Sequence, residues 1–510
     1  MQAVLFRFSK AHLSATLLGF VLLSVIARPA AGGAQILDFK ATGAPVKAAP
    51  ADKEIAQSVR SVSSERIHQT IQTLVDFKYR STVSSVETGL PPGTGILAAA
   101  QWIEQQFQNI STSCGGCLEV KEDAFVEQPQ KEGFNGSAPR IAKPTKIVNV
   151  YAILKGTDPA QSKRMYLVTG HYDTRVSDVM DAHSFAPGAN DDSSGTATSL
   201  ECARILSQHR FPATLVFAAV AGEEQGLNGS HHLAVLARQE GWDLEGVLNN
   251  DIVGGDTTPG DKYADKSLVR VFSEGVPASA TQEQVRRILA LGGESDSPSR
   301  ELAREVLDVA RTYFPVNAVP MNAAKLGLPP LTPVMVLRLD RYLRGGDHRS
   351  FNEQGFPAVR FTEWRENFNH QHQNVRTENG VQFGDLIQFD DFSYIAKVAR
   401  LNAATLATLA SAPGTPKNVR VSTRNLDNNS VLKWEAPDGA PEGAWYQIVW
   451  RETNASDWQY AGRASKYNET VSGAEHTVSV SISKDNVFFG VRSCDAKAHC
   501  GPAAIPVPER

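Results

Sequence analysis

Acidic and histidine side chains recur in this sequence at one kind of position, directly after a run of apolar, β-branched residues. Residues 165–169 run into Gly170-His171-Tyr172-Asp173, and residues 214–220 end in Ala221-Gly222-Glu223-Glu224-Gln225-Gly226. The strand-like stretch 247–253 carries Asn249-Asn250-Asp251. Between the first two, Gly188-Ala189-Asn190-Asp191-Asp192-Ser193-Ser194-Gly195 opens a helical stretch. In an open parallel sheet the carboxyl ends of the strands share one edge, so these groups can meet there. Carboxylates packed together repel and resist ionisation unless a cation compensates them. Mixed carboxylate and imidazole donors suit zinc, and a second ion about 3.5–4 Å from the first needs one carboxylate to bridge the pair. Taken singly, each motif has a plainer explanation. His171 or Asp251 would be a capped or salt-bridged residue, Glu223-Glu224 a solvated pair, and Gly188 to Gly195 an anion-binding turn. Their common placement favours a dinuclear metal site.

In this order, His171-Tyr172-Asp173, Gly188-Ala189-Asn190-Asp191, Gly222-Glu223-Glu224-Gln225-Gly226 and Asn250-Asp251 resemble the motifs of the co-catalytic zinc exopeptidase family. That family includes secreted bacterial leucyl aminopeptidases and glutamate carboxypeptidase relatives, and the resemblance spans residues 147–409. It implies two Zn2+ ions held by His171, Asp191, Glu224, Asp251 and a late histidine, with Asp191 bridging. It also implies Glu223 as general base and Asp173 as the acid that orients His171 from behind. The family's late histidine precedes a threonine by five positions. His372 stands in that relation to Thr377, although Gln373 replaces the usual next residue and His370 is a rival. Asp347-His348 resembles a pair found near these active sites, but Asp347 is read as a helix cap. Tyr342 and Arg344, just before it, are candidate donors to a developing oxyanion.

The activity implied is release of N-terminal residues from peptide or protein substrates. Three alternatives are weighed against it. A carboxypeptidase of the same architecture needs cationic groups for a substrate carboxylate. A glutaminyl cyclase normally keeps one zinc, which the complete donor set disfavours. A non-catalytic binding module is disfavoured by retention of Glu223 and every ligand type.

The elements expected to position these groups alternate. Residues 147–154, 165–169, 214–220, 247–253 and 358–361 read as strands, and 196–206, 231–238 and 392–409 as helices, with two earlier helices around 64–77 and 102–107. This rhythm predicts an α/β fold, a mixed, largely parallel sheet sandwiched by helices. An insertion at about 257–345 interrupts it, with helices at 282–291 and 298–313 and a strand at 334–339. Ser297 and Pro298 mark the start of the second helix. The insertion is a candidate lid or wall of a substrate cleft.

A catalytic domain is therefore expected at 63–411, after an Ala-, Pro- and Lys-rich extension at 34–62. Beyond Ala412-Pro413-Gly414-Thr415-Pro416, short alternating strands with turn signals predict an all-β sandwich over 416–510. Its opening residues, the strand with Trp434 and the strand Tyr446-Gln447-Ile448-Val449-Trp450-Arg451 resemble a fibronectin type III module. Its expected role is interaction or anchoring, for instance to extracellular polymeric material.

Arg7 and Lys10 precede an apolar run over 13–26, and small residues follow at Ala30, Ala31, Gly32 and Gly33. This is the order of a secretory signal over 1–33, so the mature protein is expected to be soluble, secreted or periplasmic, and not held in a membrane. The run is short for a bilayer span. The cysteines fit that compartment: Cys114 with Cys117 and Cys494 with Cys500 are spaced for local disulfides, whereas Cys202 lies in an apolar helical pattern as a buried thiol. A net charge of −4 and scattered basic residues exclude a nucleic-acid footprint.

Overall fold

The computed structural model describes residues 37–131, 138–315 and 326–510. The leader expected at 1–33 lies outside them. Eight strands form the main sheet: β1 (Leu118–Glu127), β2 (Thr145–Leu154), β3 (Arg164–His171), β4 (Thr214–Val220), β5 (Asp243–Asn250), β6 (Leu268–Ser273), β7 (Thr332–Val336) and β8 (Ala358–Glu363). Their spatial order is β1-β2-β4-β3-β5-β8-β6-β7. From β4 through β3 and β5 to β8 neighbours run parallel. On one side β2 and β1 add antiparallel, and on the other β6 and β7, parallel to each other, run against β8. The chain is thus the α/β fold with a mixed, largely parallel sheet that its periodicity predicts, joined to all-β sheets at the C-terminal end.

The central strands are apolar without alternation because both faces are covered. Every residue of β4 is buried. Leu215, Phe217 and Ala219 point into the larger core, with helices α1 (Ser64–Asp76), α2 (Ile96–Ser113), α3 (Ser194–Leu206), α5 (Pro298–Tyr313) and α6 (Phe392–Ser411). Val216, Ala218 and Val220 point into the smaller one, against Leu233, Ala234 and Ala237 of α4 (Asn228–Gln239). Each large side chain so buried contributes about 1.5–3 kcal/mol. Helix starts are fixed by caps: Ser63 accepts from Arg66 N, Ser297 from Arg300 N with Pro298 following, and Asp391 from Ser393 N and Tyr394 N.

Among the described residues, the stretch 257–345 supplies β6, β7 and α5, and its loop at 341–345 lines the cleft described below. The described part of the extension at 34–62 packs against the rest of the chain. Behind the cap Asp52, helix Lys53–Arg60 buries Ile55, Ala56 and Val59 in the main core. Ala44–Pro45 pairs with Tyr460 and Ala461. Phe39, 1% exposed, meets Tyr460 edge-on. Short apolar sets at helical spacing hide easily among Ala, Pro and Lys.

The C-terminal residues form two antiparallel-rich sheets. One holds Tyr460–Arg463, Trp445–Glu452 and Val487–Cys494; the other holds Thr470–Ser472, Glu475–Val480, Ser430–Glu435, Lys417–Ser422 and Val507–Glu509. Trp434 of the second sheet is fully buried and meets Tyr446 of the first at 5.3 Å. Cys114–Cys117 and Cys494–Cys500 are disulfide-bonded, and Cys202 is a buried free thiol. Among the described residues no helix is long and apolar enough to cross a membrane.

Candidate metal centre

The carboxyl ends of β3, β4 and β5 align, with His171 opposite Val220 and Thr169 opposite Asn249, so the residues that follow each strand share one edge. His171 closes β3, Glu223 and Glu224 leave β4, and Asp251 leaves β5. Asp191 comes from the loop before α3, and His372 from the loop after β8. Donor atoms of His171, Glu223 and Asp251 converge within 4.8 Å of one another, as do those of Asp191, Glu224 and His372. His370, the rival, is turned away: it pairs through Nδ1 with Asp256 and stacks on Phe389.

Asp191 joins the two groups. Its Oδ1 lies 3.3 Å from His171 Nε2, and its Oδ2 lies 3.0 Å from His372 Nε2. His372 Nε2 is also 3.1 Å from Glu224 Oε1, and His171 Nε2 is 4.0 Å from Asp251 Oδ1. Two of these atoms, His171 Nε2 and Glu224 Oε1, are buried without a hydrogen-bond partner among the described residues. Buried polar atoms are almost always paired, so a cluster of unpaired donors aimed at one another fits a cation.

The electrostatics point the same way. Burial opposes a charge on either histidine, yet Asp173 and Asp191 raise His171 well above its usual range, and Glu224 and Asp191 push His372 up to about 10. Burial also opposes ionisation of Asp191, but both imidazoles outweigh it and hold that carboxyl well below the usual range. Burial, with Glu224, Asp251 and Asp347 adding to it, raises Glu223 well above the ordinary carboxylate value, against the pull of His171. The site draws positive charge inward, as a metal centre must.

The surrounding chain holds these groups rigidly. Asp173 is fully buried; its carboxylate lies 3.4 Å from His171 Nδ1 and accepts from Thr82 Oγ1, Glu223 N and Glu224 N. One side chain thus fixes both an imidazole and the segment bearing Glu223 and Glu224. Asp192 accepts from the backbone N–H of His171, Gly195 and Ile252. Asp385 accepts from Asn190 N and Asp191 N. Arg80, fully buried, donates to the carbonyls of Tyr172, Pro187 and Gly188. Arg360, equally buried, places Nη2 2.9 Å from Asp251 Oδ1 and Nη1 3.0 Å from Asp340 Oδ2. Leu227, Ile252, Leu343 and His372, all beside the cleft, adopt positive φ, a conformation uncommon outside glycine that concentrates at functional sites.

The cap reading of Asp347 is corrected. Its side chain makes no cap bond among the described residues and is fully buried. Burial, with Asp251 and Asp173 nearby, pushes it up to about 7. Of the two oxyanion candidates, Arg344 lines the cleft, whereas Tyr342 is 79% exposed and pairs with Arg338. Asp192, Asp385, Arg80, Arg360 and Asp340 were invisible as site residues in sequence, since nothing in a local pattern marks which charge becomes buried.

Sheet and donor set together describe an α/β metallohydrolase. The model of peptidase family M28 matches residues 149–297. A probable zinc metalloprotease of Leptosphaeria maculans is 42% identical over 91% of this chain and 99% of its own. One of Pyricularia oryzae is 43% identical over 90% of this chain and 85% of its own. Among solved structures, the LapA aminopeptidase of Legionella pneumophila is 17% identical over 71% of this chain and 76% of that chain, with a TM-score of 0.45. The chain belongs to peptidase family M28.

Proposed function

We propose that this chain is an exported exopeptidase using two zinc ions, with removal of N-terminal residues as its primary activity. The observation that carries the proposal is Asp191, whose two oxygens face two different imidazoles. In this reading His171 and Asp251 hold one ion, Glu224 and His372 the other, and Asp191 both. When bound, zinc supplies Lewis acidity toward the scissile carbonyl and makes the attacking water more acidic. Glu223 takes the proton of that water and returns it to the departing amine. Asp173 is a positioning residue that keeps the His171 ring and the Glu223 backbone in place. Export is supported by the leader pattern and by the two disulfides, which persist in oxidising compartments. The C-terminal sheets serve as an interaction module in this proposal.

A carboxypeptidase is the second reading, favoured by the arginines that line the cleft. Hydrolysis of aminoacyl p-nitroanilides with free and with acetylated amino groups, with and without chelator, tests the proposal. Cleavage of the free-amine substrates only, lost on chelation and restored by zinc, is expected. Cleavage that survives complete metal removal would overturn it.

A further inference from the structure

We propose that the cleft recognises a carboxylate of the peptide beside the scissile bond. This rests on the peptidase reading above and names its substrate class. Arg140, Arg175, Arg341 and Arg344 line a cleft of about 210 Å³ together with Leu227 and Leu343. Its acidic lining residues are Asp191, Glu223, Glu224 and Asp251, all belonging to the metal cluster. No other carboxylate stands among the described lining residues, so outside the cluster the acid–base charge of the lining is carried by arginines.

The arginines of the cleft outnumber the carboxylates outside the cluster that pair with them. Arg140 donates from Nη1 to the backbone carbonyl of Glu224 at 2.8 Å, which sets its guanidinium against the segment bearing the base. Arg175 donates to the carbonyls of Val176 and Ser177 at 3.1 and 3.0 Å. Among the described residues neither has a carboxylate partner. Arg344 and Arg341 share Glu366 with Arg270, so one carboxylate serves three guanidiniums. Asp340, the other acid at Arg341, is shared with Arg360. The rim therefore keeps positive charge over a small volume. A guanidinium presents a planar fork of donors that matches a carboxylate bidentately. Two sources can supply that carboxylate, an acidic side chain at the residue being released or the free C-terminus of the peptide.

The test uses the full-length zinc-loaded protein and two substrate pairs that differ in charge but hardly in shape. The first is Glu- against Gln-p-nitroanilide; the second is an N-acetylated dipeptide with a free against an amidated C-terminus. Preference for the Glu member supports the proposal with a side-chain source, and preference for the free acid supports it with a terminal source. In either case Arg175→Gln is expected to raise KM for the charged member about ten- to a hundred-fold, from the loss of a charge-assisted hydrogen bond. The KM of the uncharged member and kcat should move far less. Among the described residues Arg175 bonds to nearby carbonyls, so its loss leaves the core alone. Raising the ionic strength should weaken the charged substrate selectively in the wild-type enzyme, without any substitution. Equal or better cleavage of Gln and of the amide, still sensitive to chelator, would overturn the carboxylate proposal and leave the peptidase reading intact. Failure of the zinc-loaded protein to cleave any peptide substrate, these pairs and neutral aminoacyl p-nitroanilides alike, would instead overturn the reading beneath it.

Discussion

Oδ2 of Asp191 lies 3.0 Å from Nε2 of His372, two residues brought together from the segment before α3 and the loop after β8. The other oxygen of the same carboxylate faces His171. Glu224 approaches His372, and Asp251 approaches His171. A carboxylate that splits its oxygens between two imidazoles is the geometry expected of a bridge.

Glu223 belongs by position to the same cluster, and the account gives it the proton. Glu223→Gln keeps the shape and removes the base. Turnover should fall about 10²–10⁴-fold, while zinc content by metal analysis stays at the wild-type value. Full activity in this variant would contradict the assignment.

Asp173→Asn tests positioning. Its carboxylate serves His171 and the Glu223–Glu224 backbone together. Residues behind metal ligands typically alter affinity or activity by about 10–100-fold. Zinc competition with a chelator should show a loss of that order, with the melting temperature little changed. An unchanged zinc affinity would mean that the His171 ring does not depend on Asp173.

Arg360 is buried between Asp251 and Asp340. Arg360→Met leaves two acids in the interior without their counterion, which costs about 3–5 kcal/mol. Denaturant unfolding of the metal-stripped protein reads that loss directly. A change below about 1 kcal/mol would show that the pair is dispensable.

A pH prediction falls on the seam between α5 and the C-terminal sheets. Burial pushes Glu305 up to about 8, with Arg492 pulling against it and Asp308, Glu301 and Asp457 adding to it. Between the ordinary value of 4.5 and about 8 the folded chain keeps a proton that the unfolded chain has released. The contribution of this group to stability is therefore complete below the ordinary value and is lost as pH rises through that window. Glu305→Gln mimics the protonated form. Its melting temperature relative to wild type should rise between pH 5 and pH 8, and a constant difference would contradict the shift.

Much of this was legible in sequence, for identifiable reasons. The β4 run Thr214 to Val220 is apolar after its first residue, and its companions share that signature, so the parallel core and the edge bearing Glu223 and Glu224 follow from pattern alone. The edge strand β1 escaped notice because its buried and exposed positions mingle with Glu, Lys and Asp. β6 escaped because Leu268 to Ser273 is short and lies within a stretch that broke the rhythm. Arg80, Asp192, Asp340, Arg360 and Asp385 could not be assigned, since each acts through a partner brought near only by the fold. The arginine rim is similar: Arg140, Arg175 and Arg344 come from three separate loops.

The most direct test of the central claim is a zinc titration of the metal-stripped full-length protein, following bound metal and peptide hydrolysis together. The account predicts two zinc ions bound per chain, with hydrolysis complete only when the second is taken up, and one fewer ion in His372→Ala. Saturation and full activity at a single zinc, or hydrolysis with none, would contradict it.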